Sequence, residues 1–198
     1  LSGVINQDGL FDGAMSARSP RVMQTGRTFA YVIRDGEPLI SITQNDVRAI
    51  QLAKAALYAG VQLLMDKLEL EKVDTIRLAG AFGSHIDVKY AMILGLNPDC
   101  DLAHVHSAGN AAGTGARIAL LNTEGRDEIE EVVRRIEKIE TAVEPMFQQH
   151  FIEAMAMPHK TAPFPNLASV VNLPQTKEIT PIGADGGEGR ERRRRRRG

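Results

Sequence analysis

Two short glycine-rich runs carry most of the chemistry-bearing signal in this sequence. The first is Leu78-Ala79-Gly80-Ala81-Phe82-Gly83, and the second runs from Ser107 through Gly109, Asn110, Gly113 and Gly115 to Ala116. Each follows an apolar, strand-like stretch and leads toward a helical pattern. Glycine at such a point lets the backbone approach a ligand with no Cβ in the way. A helix opening after the turn offers free N–H groups and the positive end of its dipole to a phosphate. Ligands of open α/β sheets bind beyond the carboxyl ends of the strands. Together the two turns could hold one nucleotide between them. Taken singly, each is equally well explained by a helix packed tightly on a strand. There is no GxxxxGK[ST], so a Walker-type site is excluded, and Gly113-Thr114-Gly115 is followed by Ile118, so there is no clean GxGxxG.

Other candidate residues each have two readings. Phe82 could pack on a base or be a core aromatic. Asn110 could bond a nucleotide or cap the following helix. Gln51 and Lys54, at i and i+3 on a helical pattern, could reach ribose or adenine, or form a solvated polar face. Cys100, His104 and His106 have spacing compatible with a metal site, with the two histidines on one side of a strand. No fourth ligand accompanies them, and no metal is assigned. Ser84-His85 are neighbours in sequence, which does not make a catalytic triad, so no catalytic residue is identified. Met155 and Met157 read as core fillers.

The elements that must position these residues follow from local patterns. Thr28–Arg34 and Leu39–Thr43 read as strands around an Asp35-Gly36 turn, a hairpin. Thr43 with Asp46 is a variant capping box. Apolar residues from Val47 to Leu68 then recur in steps of three and four, giving one long helix. Val73–Ala79 and Asp101–Ser107 read as strands. Helices are expected over Asp87–Leu94, from the second glycine turn to Leu121, over Asp127–Ile139, and from Pro145 to Met155. This order predicts an α/β lobe with a mixed sheet and packed helices. Residues 1–27 read as an irregular lead-in from a truncated upstream lobe, 28–158 as the body, and 159–198 as a tail, disordered toward its arginine-rich end.

Composition sets the frame. The 198 residues are 43% apolar, enough for a real core, and include one cysteine. A single cysteine makes no internal disulfide, no four-cysteine zinc site and no cysteine-held iron–sulfur cluster. No apolar run reaches membrane-helix length, so a soluble, cytoplasmic protein is expected, with no membrane partner. The net charge of −1 divides into −7 over residues 1–189 and +6 over residues 190–198. The acidic body argues against a specific nucleic-acid partner. The opening at Leu1 rather than methionine suggests a piece of a longer protein.

Four segments, in order, resemble the C-terminal domain of reductive activators of corrinoid proteins. They are Thr43–Arg48 with Gln51–Ala56, Leu78–Gly83, Gly109–Ala116 and Phe147–Pro158. The resemblance spans roughly residues 1–160. It implies an actin-like, ribonuclease-H-like lobe of the acetate and sugar kinase, heat-shock chaperone and actin (ASKHA) superfamily. It also implies ATP hydrolysis, with Mg²⁺, coupled to one-electron reduction of Co(II) corrinoid to Co(I) in a methyl-transfer protein. That corrinoid protein is the expected partner, and a homodimer is compatible with the family. Gly80, Ala81, Phe82 and Gly83 match the superfamily's adenosine-side motif, and Gly109, Asn110, Gly113 and Gly115 resemble the helix-opening segment near the same pocket. A 2Fe–2S cluster is implied only for an N-terminal ferredoxin domain, whose cysteines this chain lacks. The first-lobe phosphate motif, an Asp-x-Gly turn, is also missing: Asp8 is followed by Gly9-Leu10, and Asp35-Gly36-Glu37 has the wrong context. The chain alone is therefore expected to be inactive. Two other readings are a non-catalytic actin-fold interaction module and a small-molecule kinase of the same superfamily.

Overall fold

The computed structural model describes residues 2–80, 83 and 85–173. Strands β1 (Val22–Thr25), β2 (Thr28–Arg34) and β3 (Ile40–Thr43) form an antiparallel sheet in that order. The predicted hairpin is its β2–β3 half. β1 falls within the expected lead-in, which is therefore not irregular throughout. Val4, Phe11 and Val22 are buried with Val47 in one apolar cluster, flanked by Phe29, Tyr31 and Ile42. Val4, Phe11 and Val22, all before residue 28, thus share a core with Val47 of α1.

Helix α1 (Gln44–Lys67) follows β3 directly. Its capping box is present: Asp46 N donates to Thr43 Oγ1 at 3.3 Å, and Thr43 N donates to Asp46 Oδ2 at 2.8 Å. The Thr43 N–H and the Thr43 hydroxyl, which both donate to Asp46 Oδ2, hold the Asp46 carboxyl below its usual range. With 24 residues, α1 is about 36 Å long. It joins two cores: Val47 lies in the first cluster, while Ala55 and Tyr58 lie in a second with Met92, Cys100, Val105 and Leu167.

β4 (Ile76–Ala79) and β5 (Val105–Gly109) pair in parallel as a separate two-stranded sheet. Antiparallel and parallel pairing, expected in one mixed sheet, are divided between two. The predicted strand Asp101–Ser107 begins late because Asp101 accepts from Ala103 N at 2.9 Å and caps a 3₁₀ turn over Leu102–His104. His104 therefore lies in the turn, and its same-face relation to His106 on a strand is not formed. α2 (Val88–Leu94) is capped by Asp87 and stopped by Gly95 at φ +74°, where a Cβ would run into the Pro158 carbonyl.

α3 (Ala111–Leu121) and α4 (Thr123–Arg135) are separated only by Asn122, whose side chain accepts from Gly125 N at 3.1 Å. That cap starts α4 four residues before the expected Asp127, and the chain is extended from Ile136. α5 (Phe147–Glu153) lies against α1, where His150 Nε2 and Asp66 Oδ2 are 2.7 Å apart. α6 (Pro165–Val170) falls in the expected tail. Its N-terminus is held by Asp99, which accepts from Asn166 N at 2.8 Å and Leu167 N at 3.0 Å, and Leu167 is fully buried. Residues 159–173 therefore belong to the body, while the arginine-rich run lies outside the described residues. No helix among the described residues is long and apolar enough to cross a membrane.

Candidate functional site

The parallel pairing of β4 with β5 places the two glycine turns side by side. Leu78 pairs with Ser107 and Ala79 with Gly109, and Gly80 N donates to Gly109 O at 2.8 Å. Gly80 has φ +105° and Gly109 φ +61°, both in the region that favours glycine. A Cβ built on Gly80 would meet nothing within 4 Å, so that position requires glycine for its backbone angle and leaves open space above. Gly83 is the opposite case. A Cβ there would lie 2.5 Å from the Leu78 carbonyl oxygen, so the turn folds back against its own strand. Ala81 and Phe82, the expected base-side residues, lie outside the described residues.

On the β5 side, Asn110 Oδ1 accepts from Gly113 N at 2.9 Å, which is the capping geometry. A Cβ on Gly113 would come within 2.7 Å of the Asn110 amide, so Gly113 makes room for the cap. Gly115 meets nothing within 4 Å. Ser107, Asn110, Ala111 and Ala112 are all exposed, and the turn-to-helix junction faces solvent. The two glycine turns and the start of an eleven-residue helix thus form an open, uncharged backbone surface at the carboxyl ends of two parallel strands. Neither turn contains an acidic residue.

Gln51 and Lys54 have a different role from either expected one. They are only 2% and 1% exposed, so they form neither a solvated face nor a surface open to a nucleotide. Gln51 Nε2 donates to Asp8 O and Met155 O, both at 2.9 Å. A Cβ on Gly9, at φ +78°, would strike the Gln51 amide. Lys54 Nζ donates to Pro158 O at 2.7 Å and to Ala156 O. With no carboxylate to offset desolvation, burial pushes the ammonium down to about 8. One turn further along α1, Tyr58 packs against His159 with ring centroids 4.8 Å apart and the rings tilted by 39°. Burial, then Asp99, pushes the Tyr58 hydroxyl up to about 12. Burial, then Lys54, lowers the His159 imidazole, whose Nδ1 accepts from Ala162 N at 2.9 Å. These polar groups lie between the two apolar clusters and tie residues 7–9 and 154–162 to the middle of α1.

Cys100 is buried, its Sγ 3.7 Å from the Asp74 carbonyl oxygen, and burial followed by Asp101, Asp99 and Asp74 pushes its thiol up. His104 and His106 are exposed. Among the described residues no three His, Cys, Asp or Glu side chains are placed to hold a metal ion. Sequence reasoning missed Gln44, whose Nε2 donates to Gly9 O at 2.6 Å, and also Asp99 and His159. The signal for Gln44 was its spacing of seven from Gln51, which puts both on one side of α1.

Comparison with known proteins identifies the family of the chain. The family described as the C-terminal domain of RACo, the ASKHA domain, matches residues 1–168. A corrinoid activation enzyme, RamQ, of Eubacterium limosum is 42% identical over 120 residues, which is 60% of this chain and 20% of that protein. A solved structure of a reductive activator for corrinoid, iron–sulfur protein aligns with a TM-score of 0.70 and 30% identity, covering 80% of this chain and 26% of its own. The chain therefore spans 20–26% of the length of these relatives.

Proposed function

The chain belongs to the family of RACo C-terminal ASKHA domains, and from that premise we propose that it is the nucleotide-binding lobe of an ATP-dependent reductive activator. In this reading the whole protein, in the cytoplasm, returns Co(II) corrinoid in a methyl-transfer protein to Co(I), and that corrinoid protein is its partner. The observation that carries the reading is the bond from Gly80 N to Gly109 O, which joins both glycine turns into one surface at the strand ends.

ATP supplies the free energy of phosphoanhydride hydrolysis. The open backbone at Gly80 and the sharp return at Gly83 fit the adenosine side of such a ligand, because no Cβ intrudes. Gln51 and Lys54 act at one remove, by holding the domain that carries the turns. Mg²⁺ takes its acidic ligands from elsewhere in the whole protein, since the two turns offer no carboxylate. A 2Fe–2S cluster does not fit this chain, whose one cysteine is buried.

The test is Gly83→Val in the full-length protein. The branched side chain collides with the Leu78 carbonyl and displaces the turn, so ATP hydrolysis is lost while far-UV circular dichroism is retained. Hydrolysis at the wild-type rate by a folded variant refutes the adenosine-side assignment. A second reading, an interaction module without nucleotide, is favoured by the exposed apolar residues of α3 and α4, Leu120 and Leu121 being 78% and 82% exposed. Saturable heat on titrating ATP–Mg²⁺ into the full-length protein removes that reading.

A further inference from the structure

The middle of α1 is turned inside out. Between Arg48 and Asp66 its one charged side chain is Lys54, which is buried. From Ala49 to Val61 the polar side chains are Gln51, Lys54 and Tyr58, and all three face inward with Ala55 and Ala59. What the helix shows to the outside over that stretch is wholly apolar. Ile50, Ala53, Leu57, Val61 and Leu64 follow at steps of three, four, four and three, so they share one side of the helix over about 21 Å. Ile50 is 43% exposed, Leu57 50% and Leu64 49%, Ala53 is exposed, and Val61 is half-buried. A helix on a solvated surface has the opposite order, with apolar residues inward and charges outward. A continuous apolar strip of this kind marks a contact surface.

The chemistry and the place of the strip say what covers it. It offers no charge and no hydrogen-bonding side chain. Permanent interfaces have that character, whereas partners that dock and leave meet a more polar surface. A neighbour that stays is one held by the same polypeptide. In its relatives this domain belongs to a much longer protein: the matched family is a C-terminal domain, and the chain spans 20% of one relative and 26% of the other. The chain also enters at this helix. Gln44 Nε2 donates to Gly9 O at 2.6 Å, and Gln51 Nε2 donates to Asp8 O at 2.9 Å. Polypeptide that precedes residue 8 therefore arrives at the first two turns of α1, the end that carries Ile50.

We propose that the outer face of α1, centred on Leu57, is the surface on which the preceding part of the full-length protein packs, through an apolar face of its own. The contact is permanent and stands apart from nucleotide binding, since it needs no ligand at the glycine turns.

The test is hydroxyl-radical footprinting, read residue by residue by mass spectrometry. It compares the 198-residue chain with the full-length protein, both without nucleotide and at matched radical dose. Leu57 and Leu64 are oxidised in the 198-residue chain. In the full-length protein their oxidation falls at least about fivefold, because an interface core packs as densely as a protein interior. Equal oxidation in the two proteins overturns the proposal. So does protection already present in the 198-residue chain, protection that grows with protein concentration (a second copy), or protection that appears only when a corrinoid protein is added. Leu57→Glu gives an independent reading. In the 198-residue chain the position is open, and the melting temperature barely moves. In the full-length protein the carboxylate is buried without a partner, and the melting temperature falls by several degrees. A small shift in both proteins also overturns the proposal.

Discussion

Replacing Lys54 by methionine removes a buried ammonium and keeps the length of the side chain. The Ala156 and Pro158 carbonyls then lose their donor, at a cost of about 1–3 kcal/mol each. Against that, the wild-type ammonium sits at about 8 where the unfolded chain has 10.5. At about 1.4 kcal/mol per unit, keeping it charged at neutral pH costs about 3 kcal/mol. The two effects are of similar size, so the change at a single pH is uninformative and the pH dependence decides. The folded pKa lies below the unfolded one. The contribution of Lys54 to stability is therefore complete above the unfolded value and is lost as pH falls through about 8. Between about pH 7 and about pH 9 the wild type should gain about 1 kcal/mol that Lys54→Met does not. Urea denaturation of both proteins, followed by circular dichroism at the two pH values, reads this as a difference of differences. Tyr58 and Cys100 are present in both proteins, so their titration cancels to first order. Parallel pH dependence in the two proteins would refute the claim that this amine is buried without a counter-charge.

Three further outcomes follow from named contacts. Asp99→Ala removes the acceptor for Asn166 N and Leu167 N and should cost about 1–2 kcal/mol in urea denaturation, with protease cleavage first appearing near α6. Thr43→Ala breaks the capping box of α1 and should cost about 1 kcal/mol by the same measurement, with the rest of the fold unchanged. Gly95→Ala puts a Cβ at φ +74° against the Pro158 carbonyl, and its melting temperature should fall by several degrees, whereas Gly115→Ala, with open space around it, should leave it unchanged or higher.

What could be read from the sequence was local. Thr43 and Asp46 are three residues apart, and the cap they form needs nothing else. The Thr43 cap marked the start of α1, and the apolar steps from Val47 to Leu68 gave its end within a residue. Gly80, Gly83, Gly109 and Asn110 announced turns through backbone chemistry that travels with the residue type. Gln51 and Lys54 show why the rest was hidden. As polar residues on a helix they look solvent-facing, and their carbonyl partners are remote in sequence: Asp8 lies 43 residues from Gln51, Met155 lies 104 from it, and Ala156 lies 102 from Lys54. α6 is only six residues long, and its anchor, Asp99, lies 67 residues earlier than Asn166. β1 has one buried residue in four, too little alternation to mark a strand. His104 left the predicted strand because Asp101 offered its backbone a cap. Ala81 and Phe82, expected to line the adenosine pocket, lie outside the described residues.

The tie between the middle of α1 and its distant partners also sets an order of events at the ribosome. Gln7 Nε2 donates to His159 O across 152 positions, and Lys54 reaches Pro158 across 104. Synthesis delivers α1 and the first sheet long before those carbonyls exist. During that interval Lys54 stays hydrated and fully charged, and the groove that later receives residues 154–162 is unfilled. The nascent chain therefore holds an incomplete domain until residue 159 has cleared the exit tunnel, and α1 sheds water from its polar stripe only then. A translational pause before that point lengthens the life of a chain with an open apolar flank, whereas a pause after it acts on a closed one.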